Sequence, residues 1–305
     1  MHGDALKDLF PGFREETVHT EGAEIFCRVG GDGPPLLLLH GFPQSHVMWH
    51  TIAPRLARDF TVVAADLRGY GASSAPPGDS GHEAYSKRTM AGDMIAVMAH
   101  LGFARFAIAG HDRGGRVAYR MAFDHPEKLT RIAVLDILTT YDYWQRIDWK
   151  RALRVYHWMF LAQPHPLPER LIACDARNYL EHTLANWTKK GTLDAFGEAA
   201  LDHYRAFFIE PARIHALCED YRAGATVDMD QDTADRERGN KISLPLLALY
   251  GETGFAGGAR TPGDVWRDWA TDVREAAVDA GHFLVEENPD GTYDALHPFL
   301  MEDLA

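Results

Sequence analysis

The chain has 305 residues, 46% hydrophobic and 25% charged, a size that suits one α/β domain carrying an insertion. Its formal net charge of −13 argues against nucleic acid or an anionic membrane as a partner, so any anion site must be built from local positive charge. Three widely spaced cysteines, Cys27, Cys174 and Cys218, point to a reduced cytoplasmic setting rather than a disulfide framework.

The opening MHGDALKDLFPGF is polar and lacks the apolar core of a secretory signal. Apolar runs such as 36–39 are far too short to cross a bilayer. In chain order, β-type runs are expected at 24–29, 36–39, 60–65, 105–109, 131–135, 246–250 and 273–277. Helical stretches are expected at 47–58, 86–101, 114–124, 261–270 and 290–300. This alternation predicts a mostly parallel sheet flanked by helices, with residues 1–138 and 242–305 as its core. From 139 to 241 the rhythm stops, and short helices dense in Trp, Tyr, Phe and His take over. That stretch is expected to form a helical lid over the carboxyl edge of the sheet, where open α/β sheets place ligands. Its last part, 228–240, reads as an exposed hydrophilic return.

Residues 110–116 read GHDRGGR, a G-x-S-x-G elbow with aspartate in place of serine. A carboxylate at that point can displace a leaving group from saturated carbon and leave an ester that water cleaves. Asp112 is therefore the expected nucleophile. His282, in GHF at 281–283 after the last strand, is the expected general base. Asp136, at the end of the 131–135 run, is the expected acid orienting it, with Glu252 as the fallback. HGFP at 40–43 follows a strand, so the backbone N–H groups of Phe42 and Arg113 are expected to form an oxyanion hole. His40 reads as a structural residue shaping that loop. Arg113 and Arg116, one helical turn apart beside the nucleophile, suggest that the substrate is an anion gripped by guanidinium groups. His157, Trp158 and Tyr221 are hydrogen-bond donors on an apolar background. No metal-ligand spacing stands out, and no cofactor is expected.

These residues resemble the fluoroacetate (haloacetate) dehalogenases of the α/β-hydrolase superfamily. The motifs that carry the resemblance are HGFPQS at 40–45, DLRGYGAS at 66–73, GHDRGGR at 110–116, VLDI at 134–137, HW at 157–158, DYRAG at 220–224 and GHF at 281–283. HGFP and DLRGYG are shared with epoxide hydrolases, whereas arginine after the nucleophile together with Arg116 is more specific. The resemblance implies Asp112 as nucleophile, His282 as base, Asp136 as its partner, and Arg113 with Arg116 as the substrate-carboxylate grip. It further implies a halide pocket of His157, Trp158 and Tyr221, with Trp187 near the pocket or its entrance. The implied reaction is hydrolysis of a 2-haloacetate to glycolate and halide by a homodimeric enzyme without a cofactor. One alternative is an epoxide hydrolase using Tyr221 with another tyrosine such as Tyr156. A non-catalytic small-molecule receptor on the same fold is the other.

Overall fold

The computed structural model describes residues 6–254 and 260–302, so the first five residues of the polar N-terminal stretch lie outside it. The chain enters through a hairpin, β1 (Arg14–Thr20) and β2 (Ala23–Gly30), paired antiparallel. β1 is not legible in the sequence. Its residues REETVHT are polar and mostly exposed, with Val18 the one residue turned fully inward, as suits an edge strand. β3 (Pro35–Leu39), β4 (Thr61–Ala65), β5 (Phe106–His111), β6 (Leu129–Leu135), β7 (Leu246–Gly251) and β8 (Val273–Val278) follow. All eight form one sheet in the order β1-β2-β4-β3-β5-β6-β7-β8. Every pairing from β4 onward in that order is parallel, and only the two involving β2 are antiparallel.

β3 shows why the middle of the sheet reads as an unbroken apolar run. Leu36 and Leu38 face a cluster with Trp49, Leu56, Leu284 and Phe299, and Leu37 and Leu39 face another with Met94, Val117 and Tyr119. All four leucines are fully buried, worth about 1.5–3 kcal/mol each. The expected helix at 47–58 is broken into a short 3₁₀ turn, His46–Trp49, and α1 (Ala53–Leu56), with Pro54 in its first turn. α2 (Lys87–His100) and α3 (Arg113–Asp124) match expectation to within a residue or two.

Between β6 and β7 come eight consecutive helices. They are α4 (Thr140–Gln145), α5 (Trp149–Arg154), α6 (Tyr156–Leu161), α7 (Leu167–Cys174), α8 (Ala176–Trp187), α9 (Glu198–Phe208), α10 (Pro211–Ala225) and α11 (Val227–Arg238). Their apolar side chains, including Trp158, Leu180 and Tyr221, belong to the same cluster as Val117 and Met94 under the sheet. This segment therefore shares the core of the sheet. The expected exposed return at 228–240 is instead mostly α11. Asp228, Asp232 and Asp235 recur on one helical face and are buried against Lys87, Tyr119 and Arg120. Polar composition hid a face whose partners are cationic or hydroxylic rather than apolar.

The chain closes with α12 (Pro262–Trp266), α13 (Leu284–Glu287) and α14 (Pro289–Met301). α12 is shorter than expected and starts at a reciprocal cap between Thr261 and Asp264.

Candidate active site

The carboxyl ends of the parallel strands converge at the elbow after β5. Asp112 stands at φ 45°, ψ −114°, a region costly for a residue with a side chain. The glycines around it supply room rather than unusual dihedrals. A Cβ on Gly110 would lie 2.4 Å from the Gly114 oxygen, and one on Gly114 would lie 2.4 Å from the His40 oxygen. Packing of α3 against β5 and the 40–43 loop thus fixes the strained turn. The Phe42 N–H donates to Asp112 Oδ2 at 2.9 Å. Arg113 opens α3, so its amide has no carbonyl within the helix to bind. Burial works to raise the carboxyl pKa of Asp112, but its interactions with His282, His111, Arg113 and Arg116 outweigh it and hold it below the ordinary carboxylate range.

Asp136 ends β6 and also takes a positive φ, 51°. Its Oδ2 lies 2.7 Å from His282 Nδ1, and the Gly251 N–H donates to its Oδ1 at 3.3 Å. An Nδ1–H donated to Asp136 leaves Nε2 as the basic nitrogen. Glu252, the fallback acid, is exposed to solvent and Asp136 holds the histidine. His40 spends both ring nitrogens on the backbone, with Nδ1 3.0 Å from the Gly41 oxygen and Nε2 accepting the Leu67 N–H at 3.1 Å.

Both arginines are buried. Arg113 directs Nε and Nη2 onto the Asp220 carboxylate at 2.5–3.1 Å, and Nη2 also reaches the Asp220 carbonyl at 2.7 Å. Arg116 Nη1 donates to the Leu138 carbonyl at 3.1 Å and to Thr140 Oγ1 at 3.0 Å. Two buried donors, Arg113 Nη1 and Arg116 Nε, have no hydrogen-bond partner among the described residues. The Nε–Nη2 edge of Arg113 is therefore already occupied and its Nη1 is left over, whereas Arg116 commits only Nη1 and keeps its Nε–Nη2 edge uncommitted.

His157 and Trp158 come from α6, and Tyr221 from α10. The His157 ring stacks over Phe42 at 6.4 Å and lies 4.3 Å from Trp187. Trp158 stacks on Tyr143 at 4.3 Å and covers the Arg116 guanidinium at 4.6 Å. Tyr221 meets Phe42, His157 and Trp158 edge-on at 5.3–5.7 Å. Burial, with the nearby positive groups, pushes the His157 imidazole down to about 3, so near neutral pH it carries one donor and one acceptor nitrogen.

Asp112, Arg116, Asp136, Ile137, Tyr143, His157, Trp158, Trp187 and His282 line a small cavity of ≈ 10 Å³, room for about one water. That is far below the volume of pockets for drug-sized ligands. Arg113 and Tyr221 pack against this wall rather than forming it.

Sequence reasoning did not single out Tyr143 and Ile137, which line the cavity, or His111, whose ring lies 4.5 Å from that of His282. His111 follows an apolar strand next to the nucleophile, which was a usable signal. Burial, and next the neighbouring His282, push it down to about 3. His165, Glu169 and His215 each place a donor atom within 4.8 Å of the others, a trio that spacing did not signal. Arg222 Nη1 donates at 2.8 Å to the same Glu169 oxygen that both imidazoles face, so a cation already holds that oxygen.

A family model for the α/β-hydrolase fold matches residues 34–289. The chain is 44% identical to the fluoroacetate dehalogenase of a Burkholderia sp, over 96% of either chain. It is 32% identical to the soluble epoxide hydrolase of Corynebacterium sp. (strain C12), covering 91% of this chain and 94% of that one. A solved structure from Nostoc sp PCC 7120 superposes with a TM-score of 0.92 at 48% identity, covering 95% of this chain and 98% of its own.

Proposed function

The chain belongs to the α/β-hydrolase family, and we propose that it hydrolyses 2-haloacetates to glycolate and halide through an ester on Asp112. The observation that carries this reading is a small cavity shared by Asp112, His282, Arg116 and the donors His157 and Trp158. A carboxylate nucleophile, a cation for a carboxylate and donors for a departing anion fit a two-carbon halo acid. The identity to a fluoroacetate dehalogenase supports the same class.

In the first step Asp112 Oδ1 attacks the α-carbon. The carbon–halogen bond breaks and its electron pair leaves with the halide, toward the donors of His157 and Trp158, with Tyr221 packed edge-on beside them. Trp187, beside His157, closes the pocket. Arg113 and Arg116 hold the substrate carboxylate, which aligns the displacement and offsets repulsion between two anions. In the second step His282, oriented by Asp136, takes a proton from water, whose oxygen attacks the Asp112 ester carbonyl. The carbonyl oxygen is then Oδ2, which already accepts the Phe42 N–H, and the Arg113 N–H is the second donor. Cleavage of the acyl bond releases glycolate, which carries away the proton held by His282. The regenerated carboxyl group at Asp112 loses its own proton.

The helical segment 139–241 acts in this scheme as the lid that brings α6 and α10 over the sheet edge. No helix among the described residues is long and apolar enough to cross a membrane. Action in the cytoplasm as a homodimer belongs to the same proposal, and the exposed Trp149, Leu153 and Leu171 give such an interface apolar area. Purified protein assayed with fluoroacetate, chloroacetate and styrene oxide in parallel tests the reading. Halide release with no diol formation is expected. Diol formation without halide release would make it an epoxide hydrolase, and ligand binding without either product a receptor.

A further inference from the structure

Four buried groups from different parts of the chain meet behind the cavity wall. Arg113 comes from α3, Lys87 from the start of α2, Tyr70 from the loop after β4, and Asp220 from α10. Asp220 accepts Nε and Nη2 of Arg113, the Tyr70 hydroxyl at 2.6 Å and the Lys87 ammonium. Both Arg113 and Asp220 side chains are fully buried. The guanidinium lies 4.3 Å under the Tyr221 ring and 5.4 Å from the Trp158 ring. An arginine side chain has several rotatable bonds and is costly to fix. Here three hydrogen bonds from one carboxylate and backbone carbonyl fix both its position and its plane.

We propose that Asp220 is a positioning residue that locks Arg113 so that Nη1 alone of its nitrogens remains for the substrate carboxylate, beside the uncommitted Nε–Nη2 edge of Arg116. This rests on the haloacetate reading and names how its anion site is set. Buried ion pairs often add little to stability, whereas they do fix geometry. The Lys87 ammonium and the Tyr70 hydroxyl also donate to Asp220, so Arg113 does not answer the whole of that carboxylate's charge. Donors from both arginines suit a short carboxylate, since its two acceptor oxygens can each be met. The same arrangement disfavours neutral substrates, which would leave both buried donors unpaired.

Removing Asp220 alone would leave Lys87 to Asp228, at 3.4 Å, and change the charge of the cluster, so the decisive variant is the charge-balanced Lys87→Met/Asp220→Ala. Acetate binding by calorimetry and bromide binding by tryptophan quenching are measured on that variant, on Tyr70→Phe and on the unaltered protein. Acetate should bind ~10–100-fold more weakly to the double variant and up to ~10-fold more weakly to Tyr70→Phe. Bromide affinity should change less than about twofold, because the net charge of the cluster is conserved. A double variant that binds acetate like the unaltered protein overturns the proposal. So does an equal loss of acetate and bromide binding, which would make Asp220 a packing group only. Halide release by the unaltered protein is assayed alongside. Acetate binding that depends on Asp220 without halide release would refute the reaction and leave the clamp standing.

Discussion

At the sheet edge, Asp112 and Asp136 are held by backbone. Both have positive φ, 45° and 51°, and both accept a main-chain N–H. Across the cavity, His157, Trp158 and Tyr221 are held by rings stacked on Phe42, Tyr143, Trp187 and the arginines. Backbone fixation depends on close main-chain packing and tolerates no drift of the reacting oxygen. Ring packing tolerates repacking, and with it changes in which leaving group is served. On this account the sheet edge sets what reaction occurs, and the helical segment sets on which halide.

The largest effect should come from the sheet side. Asp112→Ala removes the bond-forming group, and halide release should fall ~10⁴-fold or more, measured by ion-selective electrode. Loss of less than about tenfold would mean that Asp112 does not form the bond. On the helical side, His157→Leu should lower defluorination by ~10²–10³-fold, because fluoride depends most on donors as it leaves. Debromination should fall much less. Equal losses for both halogens would erase the division between the two sides.

The smallest effect concerns a bridge between the regions. Glu286, just past His282, accepts the Tyr204 hydroxyl of α9 at 3.0 Å and the Gln44 side chain from the loop after Phe42. Burial pushes its carboxyl up to about 8 from an ordinary value of 4.5. The folded state then binds the proton more tightly than the unfolded chain. Stability from this group is complete below pH 4.5 and declines up to about 8, by at most ~1.4 kcal/mol per pH unit. Glu286→Gln should flatten that decline in melting temperature between pH 5 and 8. An unchanged pH slope would mean that Glu286 titrates normally.

Most of the sheet was legible because β3 to β7 are largely apolar runs buried on both faces, and β3 to β8 fall within two residues of expectation at their boundaries. β1 was not, because an edge strand with polar residues on both faces carries no alternation. α11 was misread because its inward face is Asp228, Asp232 and Asp235, a helical period written in charge. At the site, the elbow and the His282–Asp136 pairing follow from glycine spacing and chain order. His157, Trp158 and Tyr221 stood out only as donors on an apolar background, and their halide role came from resemblance, since nothing in an aromatic-rich segment marks which rings face a cavity. The Asp220–Arg113 pairing joins positions 107 apart in sequence, and no local pattern announces it.

The central claim is covalent catalysis by Asp112, and the fate of water oxygen tests it. A single turnover of haloacetate in ¹⁸O-enriched water, with enzyme in excess, is followed by mass spectrometry of glycolate and of the peptide containing Asp112. The account predicts label in the Asp112 carboxylate and unlabelled glycolate. Label in glycolate, with none at Asp112, would mean that water attacks the substrate directly and would contradict it.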